Sequence, residues 1–223
     1  MDWKLFFQAI TKYLLGLLLV GLLLFLPAGT LRYPGGWLLL AVLFGPMLPA
    51  GLVLLGHRPE LLRRRLNARE PEPEQRRVLA WSALMFLAAF VLAGLNFRFG
   101  WLPLPDWLRY AAAGVFLLGY LLYAEVLREN EYLSRTVEVQ EGQRLIDSGL
   151  YGLVRHPMYA ATLLLFLAMP LVLGSLPSLA VMLAYLPIIG KRMDNEERVL
   201  CDGLPGYAEY RERVKYKVLP GIW

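Results

Sequence analysis

Cysteine is nearly missing from this 223-residue chain. Cys201 is its single thiol, which excludes an intrachain disulfide and any cysteine-rich metal site. Histidine is almost as scarce. His57 and His156 stand about a hundred positions apart and give no ligand spacing for a metal. Charge is sparse too: 18% of residues are charged, against about 25% in soluble domains. No serine sits in a nucleophile-type turn, so a Ser/His/Asp triad has no support. No glycine-rich dinucleotide fingerprint follows a strand, and no repeat of about 20 to 50 residues recurs.

Apolar residues are what the chain has in plenty, at 57%. They gather into segments at roughly 12–27, 36–55, 79–97, 108–127, 158–173 and 176–190. The first four approach the roughly 20 residues needed to cross a bilayer core as helix. The last two are shorter and are joined by Gly174-Ser175-Leu176-Pro177, which reads as a tight helical hairpin. The expected fold is therefore all-α: a polytopic transmembrane protein with five to six membrane segments and a C-terminal hairpin. Lys4 and Lys12 before the first apolar run imitate a secretory signal. No small-x-small cleavage site follows, so the run is read as a retained first helix.

The net charge of +5 is unevenly placed. Arg58, Arg63, Arg64, Arg65, Arg69, Arg76 and Arg77 crowd the stretch 57–77, and Arg128, Arg135, Arg144 and Arg155 follow in 128–155. The connections 28–35, 98–107 and 174–177 hold Arg32 and Arg98 as their basic residues. Such alternation is the mark of membrane topology and argues against a nucleic-acid partner. Six crossings put every arginine-rich loop and both termini on the cytoplasmic face; five would put the basic tail opposite. The organisation expected is a helical scaffold over 1–127 and a polar, motif-bearing region over 128–223 that includes the hairpin 158–190.

Two polar strings stand out. In Arg155-His156-Pro157-Met158-Tyr159, Pro157 suits the first helical turn, where a missing N–H costs nothing. The helix N-terminus there favours a carboxylate, and Tyr159 lies three residues beyond His156 on roughly the same face. An interfacial anchor, with a snorkelling arginine and a belt tyrosine, accounts for that spacing equally well. In Lys191–Arg198, Arg192 and Glu196 are spaced i,i+4, which in most helices is a solvated salt-bridged face. The hairpin changes the balance, because it brings both strings to one place. Convergence of two polar clusters at a membrane face points to a site. Glu125 can pair with Arg128, and His57 in its basic loop reads as topological.

The string Gly149-Leu150-Tyr151-Gly152-Leu153-Val154-Arg155-His156-Pro157-Met158-Tyr159, with Arg192…Glu196-Glu197 and Gly206-Tyr207…Tyr210 behind it, resembles the isoprenylcysteine carboxyl methyltransferase family of integral membrane methyltransferases. The resemblance covers about 136–220 and implies S-adenosyl-L-methionine as cofactor. By motif it implies cofactor contacts at Gln140, Gln143, Arg144, Leu145, Ile146, Tyr151, His156, Pro157, Met158, Tyr159 and Glu196, with Arg192 catalytic at the acceptor. Gly149-Leu150-Tyr151-Gly152 departs from the family's usual Gly-Pro-Tyr-Arg, and Ala160 and Ala161 stand where glycine is common. The implied partners are membrane lipids and a lipophilic or small methyl acceptor, carboxylate, amine or thiol. The implied membrane is the inner or plasma membrane of a bacterium, or the endoplasmic reticulum of a eukaryote. Rival readings are an NADPH-dependent sterol-type reductase and a non-catalytic partner-binding protein; the intact His156, Tyr159, Arg192 and Glu196 argue against the latter.

Overall fold

A computed structural model describes residues 2–67, 73–134 and 137–223. Among them there is no strand, and five helices are long and apolar enough to cross a membrane. Helices α1 (Trp3–Ala28), α2 (Pro34–His57), α4 (Pro73–Phe99) and α5 (Asp106–Glu129) have 24 to 27 residues each. At 1.5 Å per residue each exceeds the roughly 30 Å of a hydrocarbon core. Their ends follow from local chemistry. Asp2 caps α1 by accepting from the Leu5 N–H, and Gly29, at φ 69°, closes it in the left-handed region. Pro34 opens α2. Outward faces stay apolar, with Leu14, Leu15, Leu18 and Leu19 exposed along α1, as a lipid-facing helix requires. Between α1 and α4 the backbones meet closely: a Cβ on Gly94 would lie 2.6 Å from the Leu24 carbonyl oxygen.

The hairpin is present but uneven. Helix α6 (Pro157–Val172) has 16 residues, roughly 24 Å. The return limb is α7 (Leu176–Met182), a break at Leu183-Ala184, and α8 (Tyr185–Gly203), which runs well past the apolar segment. A short helix α9 (Tyr207–Arg213) follows. The fifth apolar segment is thus a helix of under five turns, while the sixth, the α7–α8 limb, supplies the fifth long span.

The two ends of the bundle are distinct. At one end the short connections knit together. The Tyr33 hydroxyl donates to the Leu173 carbonyl at 2.7 Å, Asn96 reaches the Gly174 carbonyl, and Pro103 pairs with Ser175. The arginine-rich end is built differently. Arg58 donates to the Leu127 and Arg128 carbonyls, Arg64 to Glu131 and Arg65 to Ser134, the latter two from α3 (Pro59–Leu66). Arg58 thereby satisfies two bare carbonyls in the last turn of α5 and opposes its negative dipole end, while Arg64 and Arg65 hold carbonyls of the segment just beyond it. Lys12 bonds the Leu66 carbonyl and Arg63 pairs with Asp2, so the N-terminus lies here as well. Arg69 and Arg135 lie outside the described residues. Glu125 and Arg128 form the expected i,i+3 pair.

Candidate active site

A cleft opens at the arginine-rich end. One wall is the segment after α5, with Asn130, Tyr132, Leu133, Gln143, Arg144, Leu145 and Ile146. The next runs from Tyr151 to the first turn of α6, and the third is α8 with Arg192, Glu196, Leu200 and then Leu204. Tyr207 and Tyr210 of α9 complete it.

The sequence at the α5–α6 connection explains how the wall is held. Gly149 takes φ 56°, and a Cβ there would fall 2.0 Å from a Glu129 carboxylate oxygen. That carboxylate accepts from the Leu150 N–H at 2.9 Å and pins the 3₁₀ turn Gly149–Gly152. The Tyr151 hydroxyl accepts from Asn130 at 2.8 Å, and the Tyr151 carbonyl accepts from the Tyr210 hydroxyl at 2.7 Å.

Two clusters meet across the hairpin. In the first, the Tyr159 hydroxyl donates to Glu196 Oε2 at 2.5 Å and accepts from Arg192 Nε at 3.0 Å. The Arg192 guanidinium also donates to Gln75 Oε1 at 3.1 Å, while Gln75 Nε2 donates to the Arg192 carbonyl at 3.3 Å. Gln75, on α4, is fully buried and grips that arginine by both side chain and backbone. In the second cluster, Glu197 Oε1 accepts from Arg155 Nε at 2.7 Å and lies 3.0 Å from His156 Nε2. Arg155 further donates to the Val214 and Lys215 carbonyls, and the Arg155 and His156 N–H groups donate to the Tyr216 and Lys217 carbonyls. Arg155, His156 and Glu197 are all buried. A buried ion pair needs such extra bonds, because Coulomb attraction alone does not offset desolvation.

The structure therefore brings together Gln143, Arg144, Leu145, Ile146, Tyr151, His156, Pro157, Met158, Tyr159, Arg192 and Glu196 on one cleft. Gln140 stands apart from that lining. Its amide donates to the Tyr132 carbonyl at 2.6 Å, and its N–H donates to Gln143 Oε1 at 2.9 Å, so it fastens the wall from behind. Sequence reasoning assigned nothing to Gln75, Glu197 or Tyr207. Glu197 carried a usable signal: successive helical residues point about 100° apart, so adjacent acids seldom serve one neighbour. Gln75 lies 117 positions from its partner and carried none. Among the described residues no cluster of His, Cys, Asp or Glu could hold a metal ion.

Overall likeness to a solved structure decides the architecture. The eukaryotic intramembrane Ras methyltransferase ICMT (isoprenylcysteine carboxyl methyltransferase) superposes over 99% of this chain and 85% of its own, with TM-score 0.57 and 18% identity. The fold is ICMT-like. Residues 107–201, which hold the motif, Arg192 and Glu196, match the phospholipid methyltransferase family. Both findings support the membrane-methyltransferase resemblance read from the motif. A stretch of 91 residues is 30% identical to a delta(14)-sterol reductase of Mus musculus, covering 40% of this chain and 22% of that protein. The chain thus matches about a fifth of the length of that curated relative.

Proposed function

We propose that this integral membrane protein is an S-adenosyl-L-methionine-dependent methyltransferase whose acceptor is a lipophilic molecule bearing a carboxylate. One observation carries the reading. Tyr159 and Glu196, from opposite limbs of the hairpin, are bonded at 2.5 Å on one cleft, with Arg192 on the same hydroxyl. The family match over 107–201 supports methyl transfer as the chemistry. The lining suits the cofactor as well. It joins carboxylate and imidazole groups at one part to leucine and tyrosine at another, and one of its residues, Tyr207, has a buried hydroxyl with no partner among the described residues.

When bound, the cofactor supplies an electrophilic methyl group on a sulfonium. Glu196 and Tyr159 hold and orient it, with His156, Met158 and the 143–146 wall enclosing it. Arg192 orients the acceptor carboxylate, and Gln75 holds the guanidinium so that little order remains to be created at reaction. Positioning of this kind supplies much of a bimolecular barrier reduction. A carboxylate needs no general base, and charge cancels as the transition state forms, so the dry membrane face helps. An apolar groove supports a lipophilic acceptor. It runs between α5 and α6 past Leu108, Val115, Leu164 and Leu167 to Pro157, which also lines the cleft. The arginine excess at the cleft end supports a cytoplasmic site with both described ends of the chain on that face.

Incubating membranes that contain the protein with methyl-labelled cofactor tests the reading. Label should enter an extractable lipophilic product as a base-labile ester, and Arg192→Ala should cut it by roughly 10²–10³-fold. A base-stable label would move the acceptor to an amine or thiol. The stretch shared with the sterol reductase favours a second reading, NADPH-dependent reduction. Calorimetry separates the two: binding of S-adenosylhomocysteine without NADPH supports the transferase, and the reverse supports the reductase.

A further inference from the structure

Tyr207 presents a problem the fold itself leaves unsolved. Its ring is buried, at 4% exposure, and lines the cleft, while its hydroxyl has no hydrogen-bond partner among the described residues. Tyr210, one turn on and 5.5 Å away ring to ring, is equally buried but donates to the Tyr151 carbonyl. A buried hydroxyl without a partner destabilises a protein, and native structures almost always satisfy it. Such a hydroxyl on a residue of the cleft wall is explained when a ligand seated in the cleft supplies the missing bond.

The neighbourhood says which part of a ligand. Tyr207 packs with Leu204, Leu200 and Leu145, an aliphatic slot closed on one side by the Tyr210 ring. Carboxylates Glu196 and Glu197 lie beyond it. Burial first, then those two negative charges, hold the Tyr207 hydroxyl well above the usual tyrosine range. It is therefore a neutral group able to donate. Leucine walls suit a flat, weakly polar purine better than a zwitterionic amino-acid chain, and the Glu196–Tyr159 pair already offers the charged end its partners.

We propose that the Tyr207 hydroxyl hydrogen-bonds the adenine or ribose of the bound cofactor, fixing the nucleoside end in the slot of Leu145, Leu200 and Leu204. The inference rests on the methyltransferase reading above and assigns a new residue within it. Its test is calorimetry on the detergent-purified full chain, with S-adenosylhomocysteine and with 5′-methylthioadenosine, which keeps the nucleoside and lacks the amino-acid chain. Tyr207→Phe should weaken both about tenfold, the loss of roughly one good hydrogen bond. Its ligand-free melting temperature should equal or exceed that of the wild type, because an unsatisfied group has been removed. Tyr210→Phe, which breaks a bond within the protein, should melt lower. Unchanged affinity in Tyr207→Phe overturns the proposal. So does a loss confined to S-adenosylhomocysteine, or a lowered ligand-free melting temperature. Wild-type protein that binds neither nucleoside overturns the methyltransferase reading itself, and this assignment with it.

Discussion

Glu196 and Glu197 are neighbours in sequence and opposites in circumstance. Glu197 is buried in a knot with Arg155 and His156, and through Arg155 that knot reaches carbonyls of the tail. Glu196 faces the cleft and meets Tyr159, whose hydroxyl also serves Arg192. One turn of helix therefore carries a structural acid and a ligand-side acid. The difference lies in what surrounds each: a fully partnered ion pair in the first case, a hydroxyl beside open volume in the second. Sequence proximity is no guide to shared role when a helix rotates each residue by about 100°.

The contrast can be broken most forcefully at the knot. Glu197→Ala strips Arg155 of its counter-charge in the interior and should cost about 3–5 kcal/mol, seen as a large fall in melting temperature in detergent. Retention of wild-type stability would dissolve the distinction between the two acids. Next in size, Arg192→Ala should lower methyl transfer by roughly 10²–10³-fold, as loss of a charge-orienting donor does elsewhere. Affinity for S-adenosylhomocysteine should change little, and equal losses in both would place Arg192 on the cofactor. Glu196→Gln keeps shape and removes charge. It should weaken S-adenosylhomocysteine by about 10- to 100-fold, or about 1.4–2.8 kcal/mol, while leaving the melting temperature near wild type. The smallest effect belongs to Gln75→Ala, which removes one of the holds on Arg192. Transfer should drop about tenfold, on the order of one hydrogen bond, at unchanged cofactor affinity, with Gln75→Glu failing to restore it if acceptor charge matters.

Much of this was legible in the sequence, for reasons that can be named. The hairpin could be read because Gly174 and Pro177 punctuate an apolar stretch, and its folding back puts the Arg155 string and the Arg192 string side by side. The Tyr159–Glu196 contact follows from that geometry. Sidedness could be read from arginine distribution, yet the mechanical job of Arg58, Arg64 and Arg65 could not, since the carbonyls they hold carry no sequence label. Gln75 was invisible for a similar reason: glutamine near a basic loop looks like solvent-facing filler until α4 packs on α8. Gln140 is a motif position whose amide and N–H bond the Tyr132 carbonyl and Gln143 Oε1, outside the cleft lining.

The stitching of Val214–Lys217 beneath the start of α6 also dictates an order of assembly. All the membrane helices precede that segment in the chain, so they can insert while Arg155 and Glu197 are still hydrated. The Val214 and Lys215 carbonyls reach Arg155 only once residues 214–217 have left the ribosome. A nonsense codon ahead of Val214 would therefore yield a bundle whose Arg155 lacks two of its acceptors.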